Sequence, residues 1–250
     1  MPFALDLDGV VWLDDVAIPG SAAAVDRLRA AGEEVVFVTN LSSRPVADAE
    51  AKLARHGIPA DGAVLTSAMA AATLVEPGER VLLCGGPGVE DELLRRGVHV
   101  VRDGDADAVV VGLSTDFDYD ALRRAATAVR RGARLIGTND DPTFPTPEGL
   151  IPGGGAILAA VAVASGVAPV VAGKPNGPMA DLVRARLGDD GVVVGDRADT
   201  DGGLARRLGY RFALVLSGST DACDVEDLDP PPDLVTSDLA SVVDRLFPEG

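Results

Sequence analysis

Short apolar runs alternate with helix-length stretches along the whole chain, and this alternation restricts the possible folds more than any other feature. Residues 3–7, 35–38, 64–65, 81–83, 108–111, 133–136, 170–171, 192–194 and 212–216 read as strands, and His99 lies in a further Val-rich one. Between them, residues 21–31, 45–56, 89–96, 120–131, 156–164, 178–187 and 239–246 carry helical patterning, with an alanine-rich helix after Thr66-Ser67. Strands rich in Val and Leu without polar alternation suit a parallel sheet covered on both faces. The predicted class is therefore α/β, with a doubly wound parallel-sheet core. There are too many such units for one simple sheet. Dense polar motifs lie only before residue 68 or after residue 172. This predicts a core of residues 1–67 plus 172–250 and an inserted α/β cap of residues 68–171. Residues 140–152 read as a Pro- and Thr-rich loop, and 153–155 as a flexible glycine turn opening a helix.

Composition narrows the partners. A net charge of −17 over 250 residues supplies no basic stripe for a nucleic-acid backbone and none for an anionic membrane surface. No apolar run reaches spanning length, and the first residues lack the order of a signal peptide. Cys84 sits in an apolar run and Cys223 in an acidic loop, so the pair suggests neither zinc nor a disulfide framework. A cytoplasmic protein is expected, and the sequence leaves a homo-oligomer open. Of 22 basic residues only Lys52 and Lys174 are lysines. Lys52 falls on a helical face read as exposed. Lys174, in Gly173-Lys174-Pro175, suits a place that needs a compact ammonium rather than a planar fork.

Four motifs fall at the carboxyl ends of the expected strands, the edge where open α/β sheets bind ligands. They are Asp6-Leu7-Asp8-Gly9, Thr39-Asn40, Gly173-Lys174-Pro175, and Asp196 followed by Asp199 and Asp201. Residues two apart on a strand point the same way, so Asp6 and Asp8 can meet, and Gly9 permits a sharp turn. Several carboxylates suit a hard divalent cation such as Mg²⁺, while a hydroxyl, an amide and an ammonium suit an anion. Together they describe a phosphoryl site. Pro175 follows Lys174 where a Walker motif needs Ser or Thr, and Gly153-Gly154-Gly155 lacks a dinucleotide fingerprint. Glycine comes too early after Asp6 for a calcium loop. His56 and His99 read as structural, which leaves a carboxylate as the candidate nucleophile.

As a set, Asp6-Leu7-Asp8-Gly9-Val10, Thr39-Asn40, Gly173-Lys174-Pro175 and Gly195-Asp196-Arg197-Ala198-Asp199-Thr200-Asp201 resemble the four motifs of the haloacid dehalogenase superfamily, in order. Ser42-Ser43-Arg44, Gly132-Ala133-Arg134 through Thr138-Asn139, Pro145-Thr146-Pro147 and Leu214 to Gly218 are similar to subfamily IIA, the p-nitrophenyl phosphatase-like branch with a large α/β cap. The resemblance implies a Rossmann-like core and a Mg²⁺-dependent phosphatase acting through an aspartyl phosphate. It implies Asp6 as nucleophile, Asp8 as acid and then base, and Thr39, Asn40 and Lys174 as phosphate ligands. Mg²⁺ would lie on Asp6, the Asp8 carbonyl and Asp196, with Asp201 holding a metal-bound water. Asp8 favours phosphate esters over carbon–halogen bonds. Asn139 and Asp141 of the cap are candidate substrate contacts. The expected substrate is a small phosphomonoester, foremost a glycerol or polyol phosphate. Sugar phosphates, phosphoglycolate and nucleoside monophosphates are alternatives, as are a phosphotransferase and a non-catalytic sensor on the same fold.

Overall fold

The computed structural model describes residues 1–146 and 149–248; Pro147 of the Pro-Thr-Pro motif lies outside them. In chain order the elements begin with β1 (Phe3–Leu5), β2 (Trp12–Leu13), β3 (Val16–Ala17), α1 (Ser21–Ala30), β4 (Val35–Thr39), α2 (Val46–Arg55), β5 (Val64–Thr66) and α3 (Ser67–Ala72). Next come β6 (Arg80–Cys84), α4 (Pro87–Arg96), β7 (His99–Val101), β8 (Ala108–Val111), α5 (Tyr119–Arg130), β9 (Arg134–Gly137), β10 (Thr143–Thr146), β11 (Gly149–Pro152), α6 (Gly154–Ser165) and β12 (Val170–Val171). The chain continues with α7 (Gly177–Leu187), β13 (Val192–Gly195), α8 (Gly203–Leu208), β14 (Arg211–Val215), β15 (Leu234–Thr236) and α9 (Leu239–Leu246). Contacts divide it into two compact units. One comprises Met1–Thr39, Ala49–Leu65 and Lys174–Gly250, the other Asn40–Asp48 and Thr66–Gly173.

The first unit is built on a six-stranded sheet in the order β15-β14-β13-β1-β4-β5. β1 is central, pairing in parallel with β13 on one side and β4 on the other, in the register Leu5 to Val194 and to Phe37. Every residue of these three strands is buried. Phe3, Leu5, Phe37 and Leu214 are among its largest fully buried side chains, each worth about 1.5–3 kcal/mol against exposure. The strand ends that carry polar residues are thereby anchored by a dry, continuous core.

The second unit holds a five-stranded sheet, β12-β9-β8-β6-β7, parallel throughout. Leu82, Val109, Val129, Leu135, Leu158 and Val161 lie in its buried core. β12, the strand that leads to Lys174, belongs to this sheet and not to the six-stranded one.

One local expectation fails, and a second holds only in part. The stretch expected as a loop contains the antiparallel pair β10–β11, whose residues follow no clean alternation of polar and apolar types. The triple glycine does open a helix, but Gly154 and Gly155 already form the first turn of α6 rather than a turn ahead of it. A Cβ on Gly153 would lie 2.5 Å from the Asp141 carbonyl oxygen, and one on Gly155 would lie 2.2 Å from that of Asp140. Only glycine admits so close a chain crossing. Among the described residues no helix is long and apolar enough to cross a membrane.

The two thiols differ sharply. Cys84 is buried, and burial pushes its pKa up to about 11; Cys223 is exposed. Since the thiolate is the reactive form, alkylation of the native protein near pH 8 is expected to modify Cys223 alone. Mass mapping of the labelled peptides checks this, and labelling of Cys84 before unfolding would contradict it.

Candidate active site

Asp6 follows the last residue of β1, and its backbone amide still donates to the Val194 carbonyl at 2.9 Å, as a continuation of the sheet. Asp196 directly follows β13, the neighbouring strand. Two carboxylates are thus delivered side by side by strand pairing alone. Asp201 arrives differently. Residues Ala198–Gly202 form a single π-helical turn, with the amides of Asp201 and Gly202 both donating to the Arg197 carbonyl. Such turns often mark functional sites. This one sends the Asp201 side chain back against Gly195, where a Cβ would lie 2.2 Å from the Asp201 carboxyl carbon.

One carboxylate oxygen from each of Asp6, Asp196 and Asp201 lies within 4.8 Å of the others. Asp199, though in the same motif, faces Arg197 in an ion pair at 3.1 and 2.7 Å and stays out of the cluster. Lys174 is 3% exposed and reaches Asp6 at 2.8 Å and Asp201 at 2.7 Å. Burial opposes its charge, but Asp201 and Asp6 outweigh burial and hold the ammonium above the ordinary lysine range. Burial likewise pushes the Asp6 carboxyl well above the ordinary carboxylate range. Lys174 counters this in part, while Asp201 and Asp196 add to it. Asp201, fully buried, is raised for the same principal reason. Three carboxylates against one ammonium leave an excess of negative charge in a desolvated place, a donor set that fits a hard divalent cation.

Backbone groups complete the cradle around Asp196. The Ser219 amide donates to its carboxylate at 2.6 Å and the Thr220 hydroxyl to its carbonyl at 2.5 Å. Gly9, at φ +80°, lies so close that a Cβ would meet an Asp196 carboxylate oxygen at 2.5 Å. The Gly9 carbonyl accepts from the Ser217 hydroxyl at 2.6 Å.

Asp8 is placed differently from Asp6. Its carboxylate accepts from the Trp12 indole N–H at 2.9 Å and is not part of the triad. Asp8 as a residue is exposed, yet the protein packed around its carboxyl raises its pKa, with the Trp12 hydrogen bond and Lys52 acting the other way. Lys52 is therefore not the freely exposed residue its helical face suggested. Its ammonium lies 4.2 Å from the Trp12 ring centroid and donates to the Asp14 carbonyl, while His56 packs against the same ring. Trp12 and Lys52 are the site neighbours that sequence inspection missed. The only available signal was a tryptophan four residues beyond Asp8.

Thr39 ends β4 and is buried. Asn40, the next residue, lies in the second unit together with Asn139 and Asp141. Its side-chain amide donates to Asp141 at 2.9 Å, and its carbonyl accepts from Asn139 at 2.8 Å and from the Ser67 hydroxyl at 2.6 Å. Among the described residues the Asn139 side-chain oxygen is buried with no hydrogen-bond partner, a condition that costs about 1–3 kcal/mol.

A parallel α/β sheet with a carboxylate triad, a buried lysine and a separate carboxyl at its strand ends defines a metal-assisted hydrolase of the phosphoryl-transfer type. Residues 3–99 match the model of the haloacid dehalogenase-like hydrolases, and residues 171–242 match that of the HAD-hydrolase-like proteins. The chain belongs to the haloacid dehalogenase-like hydrolases, on their phosphatase branch. It is 38% identical over 249 residues to the D-glycerol 3-phosphate phosphatase of Mycobacterium tuberculosis, covering 95% of this chain and 69% of that one. It is 33% identical over 255 residues to the acid sugar phosphatase of Staphylococcus saprophyticus, covering 98% and 97%. The glycerol phosphate phosphatase of Mycobacterium tuberculosis has been solved with magnesium and with calcium. The magnesium complex superposes with a TM-score of 0.90 at 37% identity, over 96% of this chain and 75% of that one.

Proposed function

We propose that the chain is a Mg²⁺-dependent phosphatase for a small phosphomonoester, a glycerol or other polyol phosphate foremost, working through an aspartyl phosphate on Asp6. The observation that carries this is Lys174, a buried ammonium bonded to both Asp6 and Asp201 within a three-carboxylate cluster. A binding protein with no chemistry to perform has no need of a desolvated carboxylate held by a lysine beside a second, independent carboxyl. Asp6 and Asp196 of this cluster, with the Asp8 carbonyl, would hold Mg²⁺, and Asp201 would hold a metal-bound water. When bound, the cation neutralises charge on the phosphoryl oxygens.

Asp6 attacks phosphorus, and the P–O bond to the leaving alcohol breaks as the Asp6 acyl phosphate forms. Lys174 and Thr39 bind the non-bridging oxygens, joined by Asn40. Asp8 donates a proton to the departing alkoxide, a role suited to a carboxyl whose pKa is raised. It then takes a proton from the water that cleaves the aspartyl phosphate, releasing inorganic phosphate and restoring both carboxyls. Water as the acceptor makes the protein a hydrolase rather than a phosphotransferase. The polyol preference is supported by the M. tuberculosis relative and the sugar phosphate alternative by the staphylococcal one. A cytoplasmic location accords with the two free thiols.

Phosphate release from a panel of glycerol, sugar, nucleoside and glycolate phosphates tests this. Turnover is expected to need Mg²⁺ and to fall at least about a hundredfold in excess chelator, with Ca²⁺ failing to restore it. Calcium takes more ligands than magnesium and would engage both Asp6 oxygens. Added Mg²⁺ should also raise the thermal midpoint by several degrees, since it binds only the folded site. Full turnover in chelator, or in Ca²⁺ alone, would contradict the assignment.

A further inference from the structure

The loop after β9 bonds to two of the four points at which the chain passes from one unit to the other, Thr39-Asn40 and Gly173-Lys174. Along one passage, Thr39 is followed by Asn40, whose carbonyl accepts from the Asn139 side chain at 2.8 Å and whose amide donates to Asp141 at 2.9 Å. Along the other, Gly173 precedes Lys174, and its amide donates to the Thr138 carbonyl at 2.7 Å. The two passages also touch within the second unit. A Cβ on Gly173 would lie 2.5 Å from the Asn40 side-chain oxygen and 2.6 Å from the Thr138 carbonyl oxygen. The Thr138 hydroxyl is paired in turn with that of Ser42 at 2.9 Å. Asn40 is thereby held by hydrogen bonds at its carbonyl and at its amide nitrogen, with the Gly173 backbone close against its amide oxygen.

The orientation of Asn139 follows from the same bonds. Its nitrogen must face the Asn40 carbonyl, because an oxygen there would meet another acceptor. That choice leaves its own oxygen buried beside Gly154 without a donor among the described residues. An asparagine kept with one end unsatisfied is not the stability optimum for this position, and such departures concentrate where function constrains a residue. What Asn139 gains is its grip on Asn40.

We propose that Asn139 and Asp141 are positioning residues for phosphate binding, fixing Asn40 and the Gly173 approach to Lys174, rather than contacts to the leaving alcohol. The proposal rests on the phosphatase assignment above and on Asn40 and Lys174 as phosphate ligands. A positioning role acts on the phosphoryl group, which every substrate shares, so its loss must be independent of the leaving group. A contact to the alcohol must depend on that group.

The test compares wild type with Asn139→Ala, Asp141→Ala and the isosteric Asp141→Asn, which retains an acceptor for the Asn40 amide. Inhibition by inorganic phosphate and by orthovanadate is measured alongside kcat/KM for p-nitrophenyl phosphate and glycerol 3-phosphate. Both alanine variants are expected to raise the inhibition constants for phosphate and vanadate about tenfold, the scale of one well-placed hydrogen bond. They should lower kcat/KM by a similar factor for both esters, and Asp141→Asn should lose less than Asp141→Ala. Unchanged phosphate and vanadate inhibition, whether with a loss confined to glycerol 3-phosphate or with only a lower thermal midpoint, would overturn the proposal. Should Asn139→Ala not fold, the Asp141 pair decides alone: equal inhibition constants in its two variants would overturn the proposal too. Failure of wild type to bind vanadate would overturn the phosphatase assignment itself, and this proposal with it.

Discussion

Asp6→Asn is expected to abolish turnover, by on the order of 10⁴-fold or more. The amide matches the carboxylate in shape but supplies no anionic oxygen to attack phosphorus, so no covalent intermediate forms. Lys174 would also lose one of its two carboxylate partners. Asp8→Asn should fail in another way. Asp8 is held by Trp12 outside the carboxylate cluster, so its loss leaves the nucleophile intact and removes the proton donor and acceptor. With p-nitrophenyl phosphate, whose leaving group needs little protonation, Asp8→Asn should still form phosphoenzyme and accumulate it, because water attack has lost its base. Rapid-quench labelling followed by hydroxylamine treatment distinguishes the two variants. Hydroxylamine-labile phosphate on the N-terminal peptide of Asp6→Asn would show that Asp6 is not the nucleophile.

Lys174→Arg, which keeps the charge, is expected to lower kcat by about 10³-fold, the upper range for losing one preorganised charged donor. Lys174 is buried, with its single nitrogen between Asp6 and Asp201 at 2.8 and 2.7 Å. A guanidinium is longer and planar, and its donors spread over a fork. In that space it must displace the Asp6 carboxylate or swing away from Asp201, and either movement spoils the line of attack. Lys174→Met should lose a comparable amount of activity and some stability as well. It leaves buried carboxylates without their ammonium, and breaking a buried pair costs about 3–5 kcal/mol. Steady-state kinetics with thermal melts in Mg²⁺ check both variants. A Lys174→Arg enzyme near wild-type kcat would show that only the charge matters.

The amino-acid sequence determined a good deal by itself. The continuous apolar runs at β1, β4 and β13 can only be satisfied in a sheet buried on both faces, and parallel pairing then brings Asp6 and Asp196 to one edge as neighbours. Lys174 could be singled out because the chain uses arginine almost everywhere else, and the only role left for so rare a residue was one that arginine cannot fill. The sharp turn at Gly9 and the helix boundaries around residues 239–246 were equally local, since they depend on backbone preference and on spacing.

Other features depended on tertiary structure. Residue type and spacing alone do not distinguish Asp199 from Asp201, which only the motif resemblance set apart. The π-helical turn after Arg197 leaves Asp199 exposed against the half-buried Arg197 and sends Asp201 into the cluster. Lys52 looked exposed on its own helix and was claimed by Trp12, which comes from a distant segment. The triple glycine looked flexible and was instead demanded by the backbone of residues 140 and 141 crossing within contact distance. Asn139 and Asp141 were visible as polar residues after a strand. That they grip Asn40 follows from which backbone passes beside the end of β9. Periodicity and residue type encode what a segment can bury, but which side chains meet is set by long-range packing, and here that packing decides how the charges of the site are partnered.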